Sequence, residues 1–148
     1  MTEHFSLDEL IASQTAEKKG IKNIPGDDVM AHLQRTAEGL ERIRSLIGNV
    51  SVHVLSGYRC PELNKAIGGV KNSQHLLGQA ADIVAPGFGD VHTLAGVISM
   101  NAKALGIDKV IKEKNLEGSE WVHVSFRLNP RHLSFTYRDG KYLKGILA

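Results

Sequence analysis

Apolar positions in the first third of the chain recur every three or four residues, the period of an amphipathic helix. From Val29 to Ile47 the series Val29, Leu33, Ala37, Leu40, Ile43 and Ile47 keeps that spacing, with Arg, Glu and Gln between, and predicts the longest helix of the chain. Upstream, Ser6-Leu7-Asp8-Glu9 matches a capping box, and Leu7, Leu10 and Ile11 follow at helical spacing. A first helix is therefore predicted to about Lys19, ended by Gly20. Pro25-Gly26 marks a loop, after which Asp27 or Asp28 caps the long helix.

The period then shortens to two. Val50-Ser51-Val52-His53-Val54-Leu55-Ser56 alternates as a half-buried strand does, and delivers Ser56-Gly57-Tyr58-Arg59 to its end. A short helix is predicted over Pro61 to Ile67, with proline in its first turn and Gly68-Gly69 as its stop. Ala80 to Val84 is a second strand, Val91 to Leu105 a helix, Lys109 to Ile111 a third strand and Trp121 to Phe126 a fourth. Asp139-Gly140, set between strand-like residues, has the pattern of a tight hairpin turn. Strands separated by helices of unequal length, closed by a hairpin, predict an α+β fold with a small, mainly antiparallel sheet flanked by helices.

Composition narrows the class. A chain of 148 residues suits one domain, and 42% hydrophobic with 23% charged residues excludes a disordered or fibrous polymer. The net charge of +2 comes from scattered Lys and Arg rather than a basic block, so no nucleic-acid partner is expected. Cys60 stands alone, which excludes an internal disulfide and a cysteine-rich zinc site. No stretch approaches the roughly 20 apolar residues of a membrane span, and no membrane insertion is expected. The start lacks the basic and apolar regions of a signal peptide. The expectation is synthesis and retention in the cytoplasm unless another device releases the protein.

Candidate chemistry centres on His75, Asp82 and His123. Asp82 lies inside Ala80-Ala81-Asp82-Ile83-Val84, where a carboxylate loses its hydration and requires a cation or several donors. Alternation puts Trp121, His123 and Ser125 on one face of their strand and Val122, Val124 and Phe126 on the other, so the first face has the character of a cleft wall and the second is core. Two histidines and one carboxylate are a ligand set of catalytic zinc that leaves one position open. Taken singly, each has a plain structural alternative: a hydrogen-bonded core histidine, a partner for Arg59, a surface loop residue.

Ser73-x-His75-x-x-Gly78-x-Ala80-x-Asp82, followed by Glu120-Trp121-x-His123 and preceded by Ser56-Gly57-Tyr58-Arg59, resembles the signature of the zinc D-alanyl-D-alanine carboxypeptidases and dipeptidases and the related L-alanyl-D-glutamate phage endopeptidases. The resemblance spans about Val50 to Phe126. It implies one zinc ion on His75, Asp82 and His123 in a cleft on the sheet, as in the hedgehog and DD-peptidase folds. It further implies Glu120 as the general base and Arg59 as the group at the carbonyl oxygen. Glu113 and Glu117 remain alternatives to Glu120, while Ser73, Gln74 and Tyr58 are candidates to contact substrate.

The expected layout is a helical part over 1–48, a metal-site core over 50–126 and a C-terminal hairpin over 127–148, acting as a monomer on peptidoglycan stem peptides. Three substrates compete: a terminal D-alanyl-D-alanine bond, the free dipeptide, or an internal L-alanyl-D-glutamate bond. The missing export signal fits a phage-type lysis enzyme or a virion component, and fits a cytoplasmic dipeptidase as well. From another class, a non-catalytic wall-binding or virion structural module is the rival reading. His53 is read as a sheet-surface residue, His4, His32, His92 and His132 as exposed, and Cys60 as a small packed residue.

Overall fold

In the computed structural model, which describes residues 1–148, the helices come first: α1 (Leu7–Ile11), α2 (Gln14–Lys19) and α3 (Asp27–Leu46). They are followed by β1 (His53–Ser56), α4 (Pro61–Ala66), a 3-10 turn (Gln74–Leu77) and β2 (Ala80–Val84). The remainder comprises α5 (Val91–Met100), α6 (Ala102–Leu105), β3 (Lys109–Lys114), β4 (Glu120–Ser125), β5 (Leu133–Arg138) and β6 (Lys141–Lys144). No helix is long and apolar enough to cross a membrane.

The strands form one sheet in the order β1-β2-β4-β3-β5-β6. Every neighbouring pair is antiparallel except β3 and β5. This is the predicted α+β class with its mainly antiparallel sheet. One face carries Ile83, Val110, Val122 and Val124, all fully buried, against which Leu33, Leu40 and Ile43 of α3 and Leu94 and Ile98 of α5 close the core. Gly39 is where α3 comes nearest: a Cβ there would lie 2.2 Å from the Phe126 ring. The opposite face is left for the cleft.

The first strand starts at His53 rather than Val50, and three further differences from the periodic reading have identifiable causes. The single helix predicted to Lys19 is two, because Ser13 offers a second cap, its hydroxyl accepting from the Ala16 N–H at 3.1 Å. The helix predicted over Val91 to Leu105 breaks at Asn101, whose side-chain amide donates to the Val97 carbonyl at 2.8 Å. β3 runs three residues beyond Ile111, because Glu113 and Lys114 pair with Trp121 and Glu120 of β4. Strand pairing is non-local and does not show in the periodicity of one segment.

Candidate metal centre and its cleft

Asp82, His123 and Ile111 are register partners across β2, β4 and β3, and Ser56 of β1 pairs with Asp82 on the other side. Direct partners in an antiparallel ladder point to the same face. The sheet therefore lines up a carboxylate and an imidazole side by side. His75 arrives from the 3-10 turn, which Ser73 caps by accepting the His75 N–H at 3.2 Å. Gly78 ends that turn at φ 74°, and a Cβ on it would meet Val29 of α3 at 2.8 Å. Thr36 of α3 donates to the Gly78 carbonyl at 2.7 Å, so the long helix anchors the turn from behind.

The ligating atoms of His75, Asp82 and His123 lie within 4.8 Å of one another, and all three residues are buried. His75 Nε2 is 3.1 Å and His123 Nδ1 3.2 Å from the same carboxylate oxygen, Oδ1 of Asp82. His75 Nδ1 stands 2.7 Å from the Gly57 carbonyl, which can only accept, so Nδ1 carries the proton and Nε2 presents a lone pair in the neutral ring. Two imidazole nitrogens and a carboxylate oxygen thus converge with few protons among them, an arrangement that a cation satisfies. The donor set fits zinc. Burial works to raise the Asp82 pKa, but once the His75 and His123 rings carry a second proton their charge and hydrogen bonds outweigh it and hold the carboxyl well below the usual carboxylate range.

Arg59 closes one side. It donates from Nη2 to Asp82 Oδ2 at 3.2 Å, from Nε to Ser56 Oγ at 3.1 Å and from Nη1 to Asn64 Oδ1 at 3.5 Å. Burial lowers its pKa, against the opposing pull of Asp82 and Glu113. The loop that carries Arg59 is clamped by Asn23, which donates to the Ile11 and Tyr58 carbonyls and accepts the Cys60 N–H at 2.7 Å. Nothing in the local pattern around Asn23 signals this, because its partners lie 12 to 37 positions away.

The cleft over this centre has a volume of about 400 Å³, and its lining includes Arg59, Ser73, Gln74, Glu113, Trp121, Tyr137 and Tyr142 beside the three candidate ligands. Glu120 is absent from it. Glu120 lies three positions from His123 in a regular strand, which puts the two side chains on opposite faces, and it is exposed. Glu113, by contrast, pairs directly with Trp121 and shares the face of His123. Burial raises its pKa; His123 works against that and Asp82 adds to it. The Trp121 indole N–H is buried and sits by this carboxylate without completing a hydrogen bond. Glu117 is exposed in the β3–β4 turn.

Tyr58, a candidate for substrate contact, is instead 6% exposed within the core, and burial raises its pKa. Its backbone, whose N–H donates to the Leu10 carbonyl at 2.8 Å, holds the loop in place. Ser73 and Gln74 do line the cleft, although Ser73 caps the turn and Gln74 donates to Asp108 at 3.1 Å. Tyr137 and Tyr142 were not singled out in the sequence; they reach the cleft only because β5 runs parallel beside β3. His53 is exposed and Cys60 buried.

No curated protein matches the chain. A family model described as Peptidase M15 matches residues 3–125, which takes in α1 through β4 and every residue of the cleft except the two tyrosines.

Proposed function

The chain belongs to the peptidase M15 family, a family of zinc metallopeptidases, and on that premise we propose that it hydrolyses a peptide bond within peptidoglycan stem peptides. In this reading His75, Asp82 and His123 hold one zinc ion, Glu113 moves the proton and Arg59 attends the carbonyl oxygen. The observation that carries it is the convergence of three buried ligand atoms within 4.8 Å on the floor of a cleft that Glu113 and Arg59 also line.

Bound zinc supplies Lewis acidity, polarising a carbonyl and making water acidic enough to react near neutral pH. The rest is work for the chain's own side chains. Glu113, on the ligand face of β3 and two positions from Ile111 of the metal row, is placed to take a proton from the attacking water and return it to the leaving amine. The Arg59 guanidinium, held by Ser56, Asn64 and Asp82, presents fixed positive charge where the carbonyl oxygen gains negative charge. His75 keeps Nε2 available because Gly57 holds the proton on Nδ1.

The cleft continues on both sides of the metal row, toward Tyr137 and Tyr142 at one end and toward Lys109 and Gln74 at the other. That form suits a chain that extends past the scissile bond in both directions, and supports an endopeptidase of the phage lytic type over a carboxypeptidase that trims a terminus. The test is mass spectrometry of purified peptidoglycan digested with zinc-loaded protein, with and without chelator. New amino termini within the stem that vanish with chelator are expected; release of terminal D-alanine alone would select the carboxypeptidase, and no chelator-sensitive product would leave a non-catalytic wall-binding module.

A further inference from the structure

Lys109 and Glu113 stand on the same face of β3, two positions either side of Ile111, the register partner of His123. The cleft therefore runs along β3 with an acid at one end and a cation at the other. Past Lys109 it opens, through Asn72, Gln74 and Lys109 itself, into a second groove of about 480 Å³. The charged residues along that groove are Arg35 of α3, Lys109, and Arg127 and Arg131 of the β4–β5 connection; no carboxylate is among its lining residues.

These cations are largely unspent. Asp108, fully buried, accepts from Arg131 Nε at 2.9 Å and from Nη2 at 2.8 Å, which fixes the guanidinium and leaves Nη1 without a partner in the chain. Arg35 and Lys109 make no ion pair, and Arg127 donates only to the Leu128 carbonyl at 3.3 Å. Arg131 is balanced by Asp108, whereas Arg35, Lys109 and Arg127, from α3, β3 and the β4–β5 connection, face the same concavity without an ion-pair partner and repel one another. A concave surface of this kind concentrates anions.

Resting on the peptidase reading of the adjoining cleft, we propose that the groove lined by Arg35, Lys109, Arg127 and Arg131 is a substrate subsite for a carboxylate of the peptide, seated on the far side of the metal row from Glu113. Arg131, immobilised by Asp108, offers a preset donor, and Lys109 sits at the junction between subsite and cleft. The carboxylate belongs either to the peptide's C-terminus or to an acidic side chain within it.

The experiment uses stem-type peptides in four forms, with the terminal and the side-chain carboxylate each either free or amidated. Binding to the zinc-loaded Glu113→Gln protein is measured by calorimetry, and kcat/KM on the wild type. Neutralising the recognised carboxylate is expected to weaken binding about tenfold, the scale of one charge-assisted contact. The arm that responds identifies the source. Lys109→Gln with Arg127→Gln should reduce the acid-to-amide ratio, whereas Lys103→Gln, an exposed position of α6, should keep it. Equal binding of all four peptides, or an undiminished ratio in the double variant, overturns the subsite. Discrimination in binding without any cleavage would instead overturn the peptidase reading and leave the subsite standing, while cleavage without discrimination does the reverse.

Discussion

At the scale of single residues, the useful distinction is between two glutamates. Glu120 matches a motif spacing and Glu113 matches a geometry, and only Glu113 lines the cleft. Replacing Glu113 with Gln is expected to lower kcat by about 100-fold or more, with zinc still stoichiometric by metal analysis. The Glu120→Gln protein should stay within about twofold of wild type, since a solvated surface substitution perturbs little. A large loss in Glu120→Gln with Glu113→Gln unaffected would return the proton transfer to the motif residue. The three candidate ligands were legible because type, order and setting coincide: an acid among alanines and a histidine among valines each call for an explanation. Which glutamate faces the cleft was not, and Glu113 stood in the sequence only as an alternative to Glu120, because a spacing of three says nothing about which face of a strand a side chain occupies until the strand's extent is known.

Among the elements, the loop after β1 governs the site without supplying a ligand. Gly57 packs so tightly on the end of α1 that a Cβ would lie 2.2 Å from the Leu10 carbonyl oxygen, a backbone atom that cannot swing away. Its own carbonyl sets the tautomer of His75. Gly57→Ala should therefore push the loop outward, weakening zinc retention about tenfold or more and lowering Tm, as read by chelator competition and thermal unfolding. Zinc retention like that of the wild type would show that the His75 tautomer is set elsewhere. Helix and strand identities were mostly readable, since apolar periodicity reflects one buried face. The breaks at Ser13 and Asn101 were not, because side-chain caps compete locally with a pattern that otherwise runs on.

For the molecule as a whole, the Asp108–Arg131 pair ties the β4–β5 connection to the start of β3. Burial works to raise the Asp108 pKa, but hydrogen bonds from Arg131 and Gln74 prevail and bring it down to about 2. A carboxyl whose pKa falls on folding adds stability above its unfolded value near 4, and that contribution disappears as pH drops through about 2. It amounts to about 2 kcal/mol at neutral pH. Urea unfolding of wild type and Asp108→Asn should differ by that amount at pH 7, and the gap should narrow between about pH 4 and pH 2. A gap constant with pH would mean that Asp108 acts through shape rather than charge. The arrangement of the sheet has one more consequence. β5 and β6 join it through β3 alone and lie beyond the matched residues, yet they bring Tyr137 and Tyr142 to the rim of the cleft while contributing none of the three candidate ligands. The hairpin therefore shapes one rim of the cleft from outside the matched residues, and through the Glu113–Tyr137 pairing it is also a neighbour of the acid at that end.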